Sequence, residues 1–208
     1  MANNKVKEIW ASGKAVVNAW LAIPSGFSAE VMAQCGWDSV TVDMQHGVQD
    51  YQSMVACFQA MGQHPVTPLV RVPWNEPGII GKVLDGGAWG VICPMVNNAA
   101  EAKALVSYAL YPPKGKRSNG PIRAGAYGSA TPYQKTANDE VLIIPMIETQ
   151  EAIDNIDAIA GPFDQAILGD DDAESRQHLL AAIQALQHFT ETLVDAAQAL
   201  NIDLKFEE

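Results

Sequence analysis

The sequence predicts an α/β fold of (β/α) TIM-barrel type, incomplete, with six strands, a candidate seventh and a long C-terminal helix. Three observations predict it. Short apolar runs alternate with amphipathic stretches about every 20–30 residues, the rhythm of right-handed βαβ units around a parallel sheet. Several runs are almost continuously apolar, as strands covered on both faces are. The turn after the first run, Pro24-Ser25-Gly26, carries neither GxGxxG nor GxxxxGK[ST], so the phosphate turn usual in a doubly wound sheet is missing. A barrel needs no such turn and gathers its functional groups at the carboxyl ends of several strands.

In order, Ala15–Ile23 (AVVNAWLAI) reads as the first strand, and Ser25–Cys35 as a helix with Phe27, Val31 and Met32 apolar. Ser39–Met44 is the second strand. Asp50–Met61, with Tyr51, Met54, Val55 and Phe58 on one face, is the second helix. Thr67–Val72 and Pro77–Asp85 form the third strand and helix, Gly90–Pro94 and Ala99–Leu110 the fourth pair. Val141–Ile147 is the fifth strand, Glu151–Ile159 its helix, and Gln165–Leu168 (QAIL) a short sixth strand. Ala173–Leu200 is one long helical pattern with Leu179, Ile183, Leu186, Leu193 and Leu200 in its apolar stripe, and Ile202–Phe206 is the candidate seventh strand.

Composition agrees with a folded domain. The 208 residues are 48% hydrophobic and 18% charged. Folding at this size hides roughly 70% of the unfolded surface, so one domain over 1–208 is expected, with 173–208 as an atypical helical segment. Thirteen Lys and Arg against 24 Asp and Glu give a net charge of −11. That balance argues against nucleic-acid and anionic-membrane partners. It leaves room for a small anionic substrate, which needs only one or two local cations. The odd count and wide spacing of Cys35, Cys57 and Cys93 suggest free thiols in a reducing compartment. Residues 1–10 hold no apolar core of signal-peptide length, and no apolar run approaches the ~20 residues of a membrane span. A cytoplasmic location is expected.

The polar residues closing the strands carry the functional reading. Asp43, Gln45 and His46 follow the second strand, Arg71 closes the third, Glu148 follows the fifth, and Asp170, Asp171 and Asp172 follow the sixth. A charge closing an apolar strand is desolvated unless it is paired or ligates something. Ordinary readings exist for each: a helix cap for Asp43, a structural ion pair for Arg71, a helix-dipole partner for Glu148, a solvated turn for the aspartates. Their shared rim favours chemistry. Carboxylates on neighbouring strands make a hard oxygen site for Mg²⁺ or a similar ion. An arginine beside it neutralises charge on a carbonyl oxygen, and an acid–His pair orients a base. Together they suit proton abstraction beside a carbonyl. No lysine closes a strand, which weakens a Schiff-base alternative.

At these residues the chain resembles a known family. SVTVDMQHGVQDY, TPLVRVPWNEP, GGAWGVICPMVN, YPPKGKRSNGPIRA and IPMIETQEAIDNID, in that order, resemble the HpcH/HpaI aldolases, metal-dependent class II pyruvate aldolases of the phosphoenolpyruvate/pyruvate barrel superfamily. The resemblance implies a (β/α)8 barrel, a homo-oligomer, a divalent cation (Mg²⁺, Mn²⁺ or Co²⁺), and reversible cleavage of 4-hydroxy-2-oxo acids to pyruvate and an aldehyde. It implies metal ligation by Glu148 and Asp172, with Asp170 or Asp171 as substitutes for the latter. It gives His46 the base role with Asp43 as acidic partner, and enolate stabilisation to Arg71. Substrate contacts fall to Arg71, Gln45 and Trp20. The loop from Lys114 to Gly128 would cover the mouth, with Arg117 and Arg123 touching substrate or a neighbouring subunit.

The chain departs from the family pattern in three places. Barrels of this type run to about 250 residues. After Asp172 an acidic run and the long helix replace the usual continuation, and Met146 stands where many members have glutamine. Two other readings follow: an inactive or rearranged scaffold whose long helix serves assembly, or a related pyruvate-enolate reaction such as oxaloacetate decarboxylation.

Overall fold

The computed structural model describes residues 4–126 and 132–167. The chain divides into two units, Met1–Phe163 and Asp164–Glu208. The aspartates 170–172, the helical pattern 173–200 and the candidate strand 202–206 lie outside the described residues.

Five strands form one parallel sheet in the order β1 (Asn18–Leu21), β2 (Ser39–Asp43), β3 (Thr67–Arg71), β4 (Gly90–Cys93) and β5 (Leu142–Pro145). Each strand pairs with the next along the chain, without the reversal that marks a doubly wound sheet. This is the strand order of consecutive barrel staves. α2 (Gly26–Ala33), α3 (Tyr51–Met61), α4 (Pro77–Asp85) and α5 (Ala99–Ala109) make the crossovers.

Local chemistry sets the helix starts. Ser25 accepts from the Ser28 amide to cap α2. Asp50 and Ser53 form a reciprocal capping box on α3, Pro77 opens α4, and Asn98 accepts from two amides of α5. Met54, Phe58, Ile80, Leu84 and Leu105 on the helices and Val40, Val42, Val70 and Val91 on the strands are all essentially inaccessible. Each such side chain contributes about 1.5–3 kcal/mol when fully buried.

Three short helices carry no clear signal in the sequence: α1 (Lys5–Ala11), α6 (Ile122–Ala126) and α7 (Tyr133–Glu140). α1 plants Val6 against Leu69 and Leu142 of the sheet. The expected helix Glu151–Ile159 is two helices, α8 (Gln150–Asp154) and α9 (Ile156–Ile167), broken at Asn155, whose side-chain amide donates to the Asn97 carbonyl. The expected sixth strand is corrected: residues 165–167 are the last turn of α9. A run as short as QAIL has no period of its own. The helical spacing of buried Ile159, Ala160 and Phe163 carries the chain through it despite Pro162. No helix among the described residues is long and apolar enough to cross a membrane.

Candidate active site

The carboxyl edge of the sheet carries the polar cluster. Asp43 and Arg71 end β2 and β3 and are direct partners in the strand register. Arg71 donates from Nε to Asp43 Oδ1 at 2.9 Å and from Nη2 to Oδ2 at 2.6 Å. This two-pronged contact fixes the guanidinium in its plane. Trp20, on β1, donates its indole N–H to Oδ2 at 3.2 Å and lies with its ring 5.0 Å from the Arg71 carbon. The amides of Gln45 and His46 donate to Oδ1 at 3.1 and 3.3 Å. Burial alone would push the Asp43 carboxyl up. The hydrogen bonds from Arg71, Trp20 and the two amides outweigh burial and hold it well below the usual carboxylate range. Asp43 in turn holds the Arg71 guanidinium above its ordinary value, against burial, with Glu148 adding to it.

A tight loop makes this possible. Val48 N–H donates to the Ala22 carbonyl, bringing the loop after β2 across the end of β1. A Cβ at Gly47 would collide with the Asp43 carbonyl oxygen and press on the Ala22 Cα, so only glycine fits there.

Glu148 stands beyond β5, exposed, and accepts from the Met95 amide on Oε1 at 2.8 Å. Met95 has φ +56°, a left-handed conformation that is uncommon without glycine, and its amide meets Glu148 from that conformation. Asn97 joins the two loops. Thr149 donates to its Oδ1 at 2.5 Å, and its own amide is held by Glu101 Oε2 at 2.7 Å. Nothing in the sequence flagged Met95 or Asn97, because their roles rest on backbone geometry and on contacts between distant loops.

Several expected placements differ. Asp43 and the His46 imidazole do not form an acid–base pair. The carboxylate reaches the His46 backbone amide instead, as Asp does in an Asx turn, and the residue is exposed with its imidazole making no hydrogen bond to the described residues. Gln45 lies at the same edge, with its Oε1 buried and without a partner among the described residues. The described part of the 114–128 loop does not cover this edge. Arg117 is buried at the opposite, amino end. There it donates to Asp85 Oδ1 at 2.7 Å and to the Tyr133 hydroxyl at 3.2 Å, with the Tyr111 ring 4.5 Å away. Arg123 donates to the Gly86 carbonyl at 3.0 Å, also at the amino end. Both arginines answer structural demands created where α4 turns into β4.

The described residues bring together no group of three or more His, Cys, Asp or Glu able to hold a metal. They do provide single oxygen donors of the kind a hard divalent ion takes. Glu148 has one oxygen held by Met95 and the other uncommitted, and Gln45 offers a buried, unpartnered amide oxygen. Asp172 lies outside the described residues.

Comparisons with known proteins find the following likenesses. Over 157 residues the chain is 41% identical to a hydroxypyruvate/pyruvate aldolase from Rhizorhabdus wittichii, a match covering 75% of this chain and 62% of that protein. Over 182 residues it is 38% identical to a 4-hydroxy-2-oxovalerate aldolase from Novosphingobium aromaticivorans, covering 86% of this chain and 70% of that one. The fold superposes with a TM-score of 0.72 on a crystal structure of an HpcH/HpaI aldolase/citrate lyase family protein from Burkholderia cenocepacia J2315, at 25% identity, covering 88% of this chain and 80% of the other. The chain thus spans about three-fifths of the length of the Rhizorhabdus relative. The family model for HpcH/HpaI aldolase/citrate lyase matches residues 17–205, and the chain belongs to that family.

Proposed function

We propose that the chain carries a metal-dependent pyruvate aldolase activity, a carbon–carbon lyase reaction that cleaves 4-hydroxy-2-oxo acids to pyruvate and an aldehyde through a pyruvate enolate. The observation that supports it most is the Asp43–Arg71 pair at the carboxyl edge, with Glu148 close enough to act on the same guanidinium.

Arg71 spends Nε and Nη2 on Asp43, and its Nη1 hydrogens remain for the pyruvyl oxygen on which negative charge develops. Asp43 keeps the guanidinium from swinging away, and the Trp20 ring supports its face. Gln45 offers its amide to the substrate. The exposed His46 imidazole is free to take the proton from the 4-hydroxyl. Glu148 with Asp172, or with Asp170 or Asp171, would hold a divalent ion (Mg²⁺, Mn²⁺ or Co²⁺). That ion, when bound, supplies Lewis-acid stabilisation to the oxyanion. The protein would work as a homo-oligomer in the cytoplasm, on small molecules alone.

The test is pyruvate release from a 4-hydroxy-2-oxo acid by the full chain with Mg²⁺ or Mn²⁺, read through lactate dehydrogenase. Activity that needs the ion and falls at least a hundredfold in Arg71→Ala is expected. Near-normal turnover in a folded Arg71→Ala protein would refute the enolate role.

A further inference from the structure

We propose that a cavity at the amino end of the sheet is a second ligand site, built for a small organic anion with a flat apolar body: an aromatic carboxylate of about the size of benzoate. The cavity lies where β3 begins, at Thr67, whereas the polar cluster lies where β3 ends, at Arg71. At about 3.3 Å per strand residue the two sites are roughly 13 Å apart along that strand.

Charge is the first argument. The chain carries 24 acids against 13 Lys and Arg, yet none of the fifteen described residues lining the cavity is acidic, while Lys5, His64 and Arg123 all face it. Lys5 Nζ donates to the Pro65 carbonyl at 2.9 Å and joins no ion pair with the described residues, so its charge is anchored without being neutralised. Arg123 is steadied by the Gly86 carbonyl and by the Phe58 ring, 6.0 Å from its guanidinium carbon.

The second argument is a donor that opens on the cavity. Thr67 is 5% exposed, and its hydroxyl makes no hydrogen bond with the described residues. The hydroxyl is open to the cavity, where a carboxylate oxygen could accept a hydrogen bond from it.

Shape is the third. The volume is about 230 Å³. An apolar cavity of about 150 Å³ accepts benzene, so the added volume suits a ring carrying one carboxylate. Phe58, Met61, Trp89 and Tyr133 supply apolar walls for the ring. A bare anion would leave those walls wet, and a neutral ring would leave Lys5 and Thr67 without a counterpart.

The test is calorimetric titration of the full chain with benzoate, benzyl alcohol and inorganic phosphate, in a buffer free of other organic anions. The Trp89 indole resonance is followed in parallel. Benzoate is expected to bind one to one and to move Trp89, with benzyl alcohol and phosphate at least tenfold weaker. Lys5→Gln should weaken benzoate about tenfold, Thr67→Val at least threefold, and Arg71→Ala not at all. If Thr67→Val fails to fold, the half-buried Lys5, at the start of α1, still decides. Benzyl alcohol binding as well as benzoate would reduce the site to a greasy void, and phosphate binding as well would remove the apolar body; either overturns the proposal. So does benzoate binding that vanishes in Arg71→Ala and survives Lys5→Gln, since the anion then sits at the other end of the sheet.

Discussion

Replacing Asp43 with asparagine tests how the carboxyl edge is held together. Asp43 is 3% exposed and accepts five hydrogen bonds, from Arg71 twice, from Trp20 and from two amides. Asparagine keeps one oxygen for the Gln45 and His46 amides. It turns an NH₂ toward Arg71 Nη2 and the Trp20 indole, donor against donors, and leaves the guanidinium without its countercharge. Breaking a fully buried pair costs about 3–5 kcal/mol. Arg71 keeps 14% of its side chain exposed, so water recovers part of the loss, and a cost of about 2–3 kcal/mol is expected at pH 7. In urea this is a midpoint drop of roughly 1 M. Because the Asp43 carboxyl is held below its ordinary value, its contribution is complete above the unfolded value of about 3.9 and fades as pH falls toward the folded one. The gap between wild type and variant should therefore be constant from about pH 5 to 8 and shrink below pH 4. A cost under about 1 kcal/mol at pH 7, or a gap that does not change down to pH 3, would mean that the Asp43–Arg71 pair does not hold this edge together.

Three further outcomes are expected. Met95→Gly should melt higher than Met95→Ala by the equivalent of about 1 kcal/mol, because only glycine is unstrained at φ +56°; equal melting temperatures would mean the conformation relaxes freely. Arg117→Ala should destabilise the fold by about 3 kcal/mol in urea, leaving Asp85 without its partner and the Tyr111 and Tyr133 rings uncovered, yet leave pyruvate affinity unchanged; lost affinity in the folded variant would return Arg117 to the substrate. Burial, helped by Glu101 and Glu148, pushes the Cys93 thiol up to about 12, and burial raises Cys57 as well, whereas Cys35 is exposed. Iodoacetamide at pH 8 should thus take one equivalent from the native protein and three after denaturation, and rapid native labelling of Cys93 would contradict the packing.

Much of the fold was legible because its strands are bounded by strong punctuation. β2, β3 and β4 begin where the sequence places them, at Ser39, Thr67 and Gly90, and α4 spans Pro77–Asp85 as its proline and apolar spacing predict. α1, α6 and α7 were not legible. They are short and weakly periodic, and tertiary contacts such as Val6 against Leu69 and Leu142 hold them in place. The QAIL run failed for the opposite reason, being apolar enough for a strand while continuing a helix. At the site, Asp43, Arg71 and Glu148 could be placed on one edge because strand ends fix position. Which atom each would touch could not be read. Asp43 turns to Arg71 and to backbone amides rather than to the His46 imidazole, and Arg117 meets Asp85 across the far end of the sheet. Those choices depend on register and loop crossings, which have no local signature.

If this edge stabilises a pyruvate enolate with the help of a divalent ion, enolate formation should be visible on pyruvate alone. Exchange of the pyruvate methyl protons in deuterated water, followed by proton NMR, reads enolate formation with no aldehyde present. Mg²⁺- or Mn²⁺-dependent loss of the methyl signal is expected in the wild-type protein, with exchange near the uncatalysed rate in folded Arg71→Ala and Glu148→Ala variants. Exchange that proceeds equally with a chelator present, or that survives Arg71→Ala, would contradict it.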